Sequence, residues 1–411
     1  WDLINRAKFP VVVVEIGLLP NRIAPHYRAA PTRPVEGSTV LSYTRIIQLG
    51  CMLMYVHNID PFLLEFGNSG QGIRWYGMAY LATFVLGYFF AKYLAQNKRL
   101  SLTVEQVGDF ITWVAVGTMV GGRLGYCIFY SPETLVEFTG SFPFWSVLAV
   151  HKGGMASHGG VLGVMIACYL YGRKYNVHWR QLLDICALVG AFGIGMGRIA
   201  NFINGELFGR VAPAGFKWAV KFPTELHYWA GYHVNRLTEL KPVVALMESV
   251  PALKERIPVT AEQWDGLVFS FNYQGEAHAK VNQVIDTIIW ASQNGFTQIN
   301  QALEPILSAR YPSQLYQAAM EGFFVFIVCF LIWAKPRRPG LITGVFGIVY
   351  SVMRIVGEQF RMPDAHIGFD LLGITRGQWL SIGLLIFSLG FIWLSMKKSS
   401  EKAGGWLIKS N

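Results

Sequence analysis

Charge is scarce in this chain of 411 residues: 15% are Asp, Glu, Lys or Arg, while 53% are hydrophobic. Soluble domains carry roughly 25% charged residues, so the composition excludes an ordinary soluble domain and indicates an integral membrane protein. Cysteine is almost as scarce. Cys127, Cys168, Cys186 and Cys329 lie within apolar runs and Cys51 precedes them. No pair has metal-ligand or disulfide spacing, which leaves them as small hydrophobes in helices. The protease signatures HExxH and GxSxG are both missing. Gly193-Ile-Gly195-Met-Gly197 has no strand before it, which excludes a nucleotide fingerprint. Acidic residues are too few to balance the basic ones, giving a formal net charge of +10. The basic residues nevertheless sit in short clusters between apolar runs. That is the positive-inside pattern of membrane loops, and no nucleic-acid partner is expected.

What the chain does have is apolar length. Seven runs, at about 75–95, 107–129, 155–172, 182–203, 314–334, 341–360 and 377–396, are of adequate or nearly adequate length to span a bilayer. The third is short. The expected fold is therefore all-α and polytopic, with seven transmembrane helices. Lys92, Lys98 and Arg99 lie between the first two runs, and Arg173, Lys174 and Arg180 between the third and fourth. Lys335, Arg337 and Arg338 join the fifth and sixth, and Lys397, Lys398 and Lys402 follow the seventh. These regions alternate correctly to share the cytoplasmic side, which puts the N-terminus outside and the C-terminus inside. A polar segment, 207–311, then becomes an external head between the fourth and fifth helices. It contains helix-like pieces such as Glu276–Ser292. The organisation reads as 51–206 for the first four spans, 207–311 for the head, 312–396 for the last three spans and 397–411 for a cytoplasmic tail. Residues 1–50 do not fit: Val11–Leu19 is too short to span, and a Pro-rich basic stretch follows without a clear cleavage site. They are expected to be a non-native or disordered upstream extension, with the functional protein starting near Met52 or Met54.

Costly polar residues gather at one depth. The fourth run ends in RIANFINGELFGR, residues 198–210, where a lipid-compatible end would be ordinary. Arg198 and Asn201 are three apart and share a helix face. Tyr76 opens the first run, Arg123 is near the outer end of the second, His158 begins the third, and Ser313 and Gln314 begin the fifth. In the sixth, Tyr350, Arg354, Glu358 and Arg361 fall within about 80° of arc at 100° per residue, one polar stripe. Each charge costs about 2.5–3.5 kcal/mol on insertion scales, and such residues usually face a bundle interior and mark function. An isolated ion pair such as Arg354 with Glu358 would serve structure alone, but a whole stripe indicates a site. The pairs Gly193/Gly197 and Gly159/Gly163 suit close helix packing.

The motifs also carry a resemblance. HGG at 158–160, GRIANFINGELFGR at 197–210, YPSQLY at 311–316 and RIVGEQFRMPDA at 354–365 resemble the prolipoprotein diacylglyceryl transferase family. RWYGMAY at 74–80 and GGRLGY at 121–126 agree with it, and the match runs over about 55–210 and 311–396. The resemblance implies a bacterial inner-membrane enzyme that moves diacylglyceryl from phosphatidylglycerol to the lipobox cysteine in a prolipoprotein signal peptide. The products would be a thioether and glycerol 1-phosphate, with no metal or other cofactor. The family's functional positions map to Tyr76, His158, Arg198, Asn201, Asn204, Glu206, Gly209, Tyr350, Arg354 and Glu358, to which Arg361 is added from the stripe. The external segment is longer than the family leads one to expect, with the excess around 230–305.

The residue types suit such a reaction. A thiol with a reference pKa near 8.5 must become thiolate to attack carbon. His158 is a plausible base, with headgroup binding as its alternative role. Guanidinium forks match phosphate oxygens, which assigns Arg198 and Arg354 to a clamp, with Glu206 and Glu358 holding the arginines. Asn201 and Asn204 suit the headgroup or substrate backbone. The rival from another class is a lipid transporter or flippase, which would place its site at the midplane and often carry inverted repeats.

Overall fold

The computed structural model describes residues 54–66, 72–140, 142–150, 153–363, 373–397 and 401–407. The expectation for residues 1–50 lies outside them, as does Cys51. The described part begins with a short hairpin, β1 (Phe62–Glu65) against β2 (Gly72–Arg74), antiparallel. Four helices follow: α1 (Trp75–Gln96), α2 (Val104–Phe129), α3 (Ser157–Tyr175) and α4 (Trp179–Ile203). A cluster of short helices comes next: α5 (Glu225–Tyr232), α6 (Lys241–Ser249), α7 (Pro251–Lys254), α8 (Ala261–Ser270), α9 (Gly275–Gln293) and α10 (Thr297–Leu303). The chain then returns through α11 (Ser313–Ile332), α12 (Leu341–Gly357) and α13 (Arg376–Lys397).

Among the described residues five helices, α1, α2, α4, α11 and α13, are long and apolar enough to cross a membrane. Helices α3, with 19 residues, and α12, with 17, occupy the other two expected runs without being among those five. Phe89, Val120, Val161, Leu331 and Ile386 are exposed on the helix surfaces, as lipid-facing positions would be. Helix α4 is the centre of the bundle. It packs against α1, α3, α11 and α12, and half of its apolar window is buried, against a third or less in the other four.

Local chemistry sets the ends. Thr103 and Gln106 form a reciprocal capping box at the start of α2. Asp184 on α4 accepts from the Gly340 and Thr343 backbone N–H groups at 2.7 and 2.8 Å, capping α12 from a neighbouring helix. Helix α12 ends at Gly357, short of the expected 360, so Arg361 leaves the polar stripe. Arg361 instead pairs in an extended bridge with Gly209, and its carbonyl accepts from Arg210 Nε. Gly159 and Gly163 pack as expected: an added Cβ would come within 2.2 Å of Gly121 O and 2.0 Å of Gly117 O. Gly197 does not, having nothing within 4 Å; Gly195 takes the packing role, against Gly322 of α11. Arg123 is a loop clamp rather than part of a shared polar site. It donates to the carbonyls of Ser146, Val147, Gly153 and Gly154 between α2 and α3.

The described residues form two apolar cores. One joins the long helices through residues such as Leu94, Phe110, Tyr171, Leu182 and Trp333. The other is built from residues 225–307 with Val56 joining it, around Trp229, Trp264, Val284 and Ile288, these four fully buried. The 230–305 segment is thus a packed helical cluster with its own core. The expected helix Glu276–Ser292 is there as α9. Five extended segments connect this cluster to the ends of α4 and α12: Tyr55–His57, Val220–Lys221, Arg310–Tyr311, Gly209–Ala212 and Phe360–Arg361. Beneath them, Glu225 binds Arg310 at 2.6 Å and accepts from Trp229 and Ser308. The tail returns to the bundle, where Trp406 stacks on Phe330 and donates to its carbonyl.

Candidate active site

The site forms where α4 stops. After Ile203 the chain reads Asn204-Gly205-Glu206-Leu207, and Gly205 and Leu207 both take positive φ, 69° and 53°. The glycine does so without strain, and the turn folds Glu206 back towards α1. Glu206 accepts from the Tyr76 hydroxyl at 3.1 Å and from Asn204 Nδ2 at 3.2 Å. Asn201 Nδ2 donates to the same tyrosine oxygen. Gln314, at the start of α11, donates to the Glu206 carbonyl at 2.6 Å. Four predicted residues, Tyr76, Asn201, Asn204 and Glu206, therefore make one hydrogen-bonded group. Among the described residues Glu206 is bonded to no arginine, contrary to expectation, because the turn at Gly205 commits its carboxylate to Tyr76 and Asn204.

The arginines are held by a different carboxylate. Glu321, fully buried on α11, meets Arg198 at 3.1 Å and Arg354 at 3.3 Å. Arg354 also pairs with Glu358 at 2.8 Å, the expected i,i+4 contact, and Glu358 accepts from Thr375 at 3.0 Å. Glu321 lies in a π-helical turn, 318–324, of a kind that often marks functional sites. The sequence reading missed it, although a lone acid inside the fifth apolar run is the signal that intramembrane charges carry. Tyr350 stacks on Phe346 and lies within the electrostatic reach of Arg198, Glu321 and Arg354.

Two guanidinium groups and two carboxylates balance in charge. Their low exposure strengthens every interaction they make, because little water screens them. Arg198 and Arg354 keep 16% and 10% of their side-chain surface exposed.

Gly209 and Arg361 meet in the adjoining ladder. Gly209 N–H donates to Tyr311 O at 3.1 Å, and Arg210 Nε donates to Arg361 O at 3.0 Å. A Cβ on Gly209 would sit 2.4 Å from Tyr311 O and 2.7 Å from Phe360 O. Only glycine fits between these two backbones. His158 stands apart: it is exposed in the first turn of α3, and no hydrogen bond ties it to either polar group among the described residues. Among the described residues no His, Cys, Asp and Glu cluster could hold a metal ion.

The family model of prolipoprotein diacylglyceryl transferase matches residues 61–394. The chain belongs to this family. It is 46% identical to the phosphatidylglycerol–prolipoprotein diacylglyceryl transferase of Bdellovibrio bacteriovorus over 351 residues, 85% of this chain and 97% of that protein. The protein of the same name in Neisseria gonorrhoeae is 33% identical, over 83% of this chain and 98% of its own length. That of Phenylobacterium zucineum is 32% identical, over 84% and 96%. The matched region of the family contains both polar groups, the glycine ladder and the helical cluster.

Proposed function

We infer that the two polar groups carry out the reaction after which the family is named. The protein transfers the diacylglyceryl group of phosphatidylglycerol to a prolipoprotein, the first step of bacterial lipoprotein maturation. The acceptor is the lipobox cysteine thiol. The observation that carries this reading is the buried set Arg198–Glu321–Arg354–Glu358 beside Tyr76, Asn201, Asn204 and Glu206, built from the motifs that resemble the family.

The thiolate attacks the glycerol carbon that bears the phosphate. The S–C bond forms as the C–O bond breaks, and glycerol 1-phosphate departs with the electron pair. Arg198 and Arg354 hold the phosphate oxygens, where guanidinium forks favour the charge that develops on the leaving group. Glu321 and Glu358 fix the forks and keep the site near neutral before substrate arrives. Tyr76 and Glu206, with Asn201 and Asn204, orient the donor lipid or the signal-peptide backbone. Tyr350 borders the clamp, and Gly209 and Arg361 shape its rim. His158 is the base that accepts the thiol proton; its exposure at the start of α3 leaves it free to meet a peptide that arrives with its own sulfur.

In the membrane the bundle passes seven times, with α3 and α12 completed by their non-helical ends. The cluster 207–311 is an external head, the N-terminal side is outside and the tail is cytoplasmic, as the basic loops require. Both substrates then reach the site from the side where a translocated preprotein emerges.

The test is transfer from radiolabelled phosphatidylglycerol to a lipobox peptide by purified protein, beside a Cys→Ser peptide. Label on the cysteine peptide alone, lost with Arg354→Ala and reduced at neutral pH with His158→Gln, is the expected result. Folded protein that labels neither peptide would overturn the reading and favour lipid transport.

A further inference from the structure

Gln317 is fully buried on α11, and neither its Oε1 nor its Nε2 has a hydrogen-bond partner among the described residues. One turn earlier Gln314, also fully buried, uses Nε2 on the Glu206 carbonyl and leaves Oε1 unpaired. Buried amides without partners are costly, above all in a bundle surrounded by lipid. Both belong to the edge of α11 that faces the site. A Cβ on Gly357 would lie 2.9 Å from Glu321 Oε1 and 3.6 Å from Gln317 Cγ, so both side chains meet α12 beside Arg354 and Glu358. Gln314 touches the Glu206 group on the other side. The unpaired atoms thus lie between the proposed phosphate clamp and the Tyr76–Glu206 group, where Asn204 Oδ1 is unpaired as well.

Their chemistry narrows the ligand. Whichever way the Gln317 amide is turned, it presents both a donating NH2 and an accepting carbonyl oxygen. A phosphate oxygen only accepts and an ammonium only donates, so either leaves part of that amide unpaired. A hydroxyl does both. We propose that Gln314 and Gln317 form a subsite for the free hydroxyls of the donor lipid's glycerol headgroup and so set headgroup selectivity. This rests on the transferase reading, in which that glycerol leaves attached to the phosphate held by Arg198 and Arg354.

The experiment compares two donors with identical acyl chains, phosphatidylglycerol and phosphatidylpropanol, whose headgroup lacks both hydroxyls. Transfer to a lipobox peptide is followed with full-length protein in detergent micelles. Losing the partners of buried polar groups predicts that wild-type kcat/KM falls about ten- to a hundredfold with phosphatidylpropanol. Gln317→Leu, which breaks no hydrogen bond to the Glu206 group, should lower the phosphatidylglycerol rate and leave phosphatidylpropanol within about twofold, collapsing the ratio. A wild-type protein indifferent to the hydroxyls overturns the proposal by itself, whether or not the variant folds. Equal loss on both donors overturns it too, since the amides would then serve packing only. Wild-type protein that transfers from neither donor defeats the transferase reading instead.

Discussion

Glu321 is the residue whose removal tests the site most directly. Its carboxylate lies 3.1 Å from Arg198 and 3.3 Å from Arg354, with no exposed surface of its own. At an effective dielectric of about 20, each contact is worth about 5 kcal/mol of Coulomb energy before desolvation is subtracted. The net effect of deleting one partner of a buried pair is about 3–5 kcal/mol. The arginines retain some exposure, which points to the lower end, about 3 kcal/mol for Glu321→Ala. The variant leaves Arg198 and Arg354 against Glu358 alone, one positive charge in excess. Thermal unfolding in detergent should therefore move down, and kcat/KM in the transfer assay should fall by about a hundredfold or more as the forks lose their alignment. Adding Arg198→Gln to Glu321→Gln restores the charge balance with Arg354 and Glu358. That double variant should regain much of the stability and none of the activity. If Glu321→Ala kept wild-type stability and turnover, the carboxylate would not hold the clamp and the argument would fail.

Other expectations follow from single contacts. Gly209→Ala forces a methyl between two backbone oxygens that cannot retreat, and should destabilise by about 1–3 kcal/mol and abolish most turnover, read by unfolding and transfer assays. His57 is buried against Phe202 and Phe222, and burial lowers its pKa from 6.5 to about 4, although a hydrogen bond with the Phe202 backbone opposes this. Between those values the unfolded chain binds the extra proton, so stability should fall as pH drops from 6.5 to 4, by about 3 kcal/mol in all. His57→Phe should flatten that limb of a stability-against-pH curve. Glu225 adds a second acid-sensitive contribution: burial pushes its pKa up, but Arg310, Trp229 and Ser308 together hold it below 4.5. Its stabilisation is present above that value and lost as pH falls through the folded pKa, so Glu225→Gln should blunt acid unfolding below about pH 4.5.

The sequence by itself determined the membrane class, most of the long helices and the residues of the Tyr76 group. Apolar length and the expense of charge in lipid are local properties that a linear chain displays openly. Four of the eleven predicted site residues, Tyr76, Asn201, Asn204 and Glu206, join one hydrogen-bonded group, and Arg198, Arg354 and Glu358 join the other. The local pair Arg354–Glu358 was legible from its i,i+4 spacing, but tertiary structure alone decided which acids join residues of different helices. Glu206 and Glu321 are equally acidic on paper, but a positive-φ turn carries the first to Tyr76 and a π turn of α11 brings the second between two arginines. The end of α12 was another tertiary outcome: helix periodicity continued the stripe to Arg361, while the backbone of Gly209 offered that residue an extended partner. The core of the 230–305 segment was hidden as well, because Trp229, Trp264 and Ile288 lie far apart in a polar stretch and meet only when its short helices pack. Pairing between segments depends on their distances in space, which spacing along the chain does not encode.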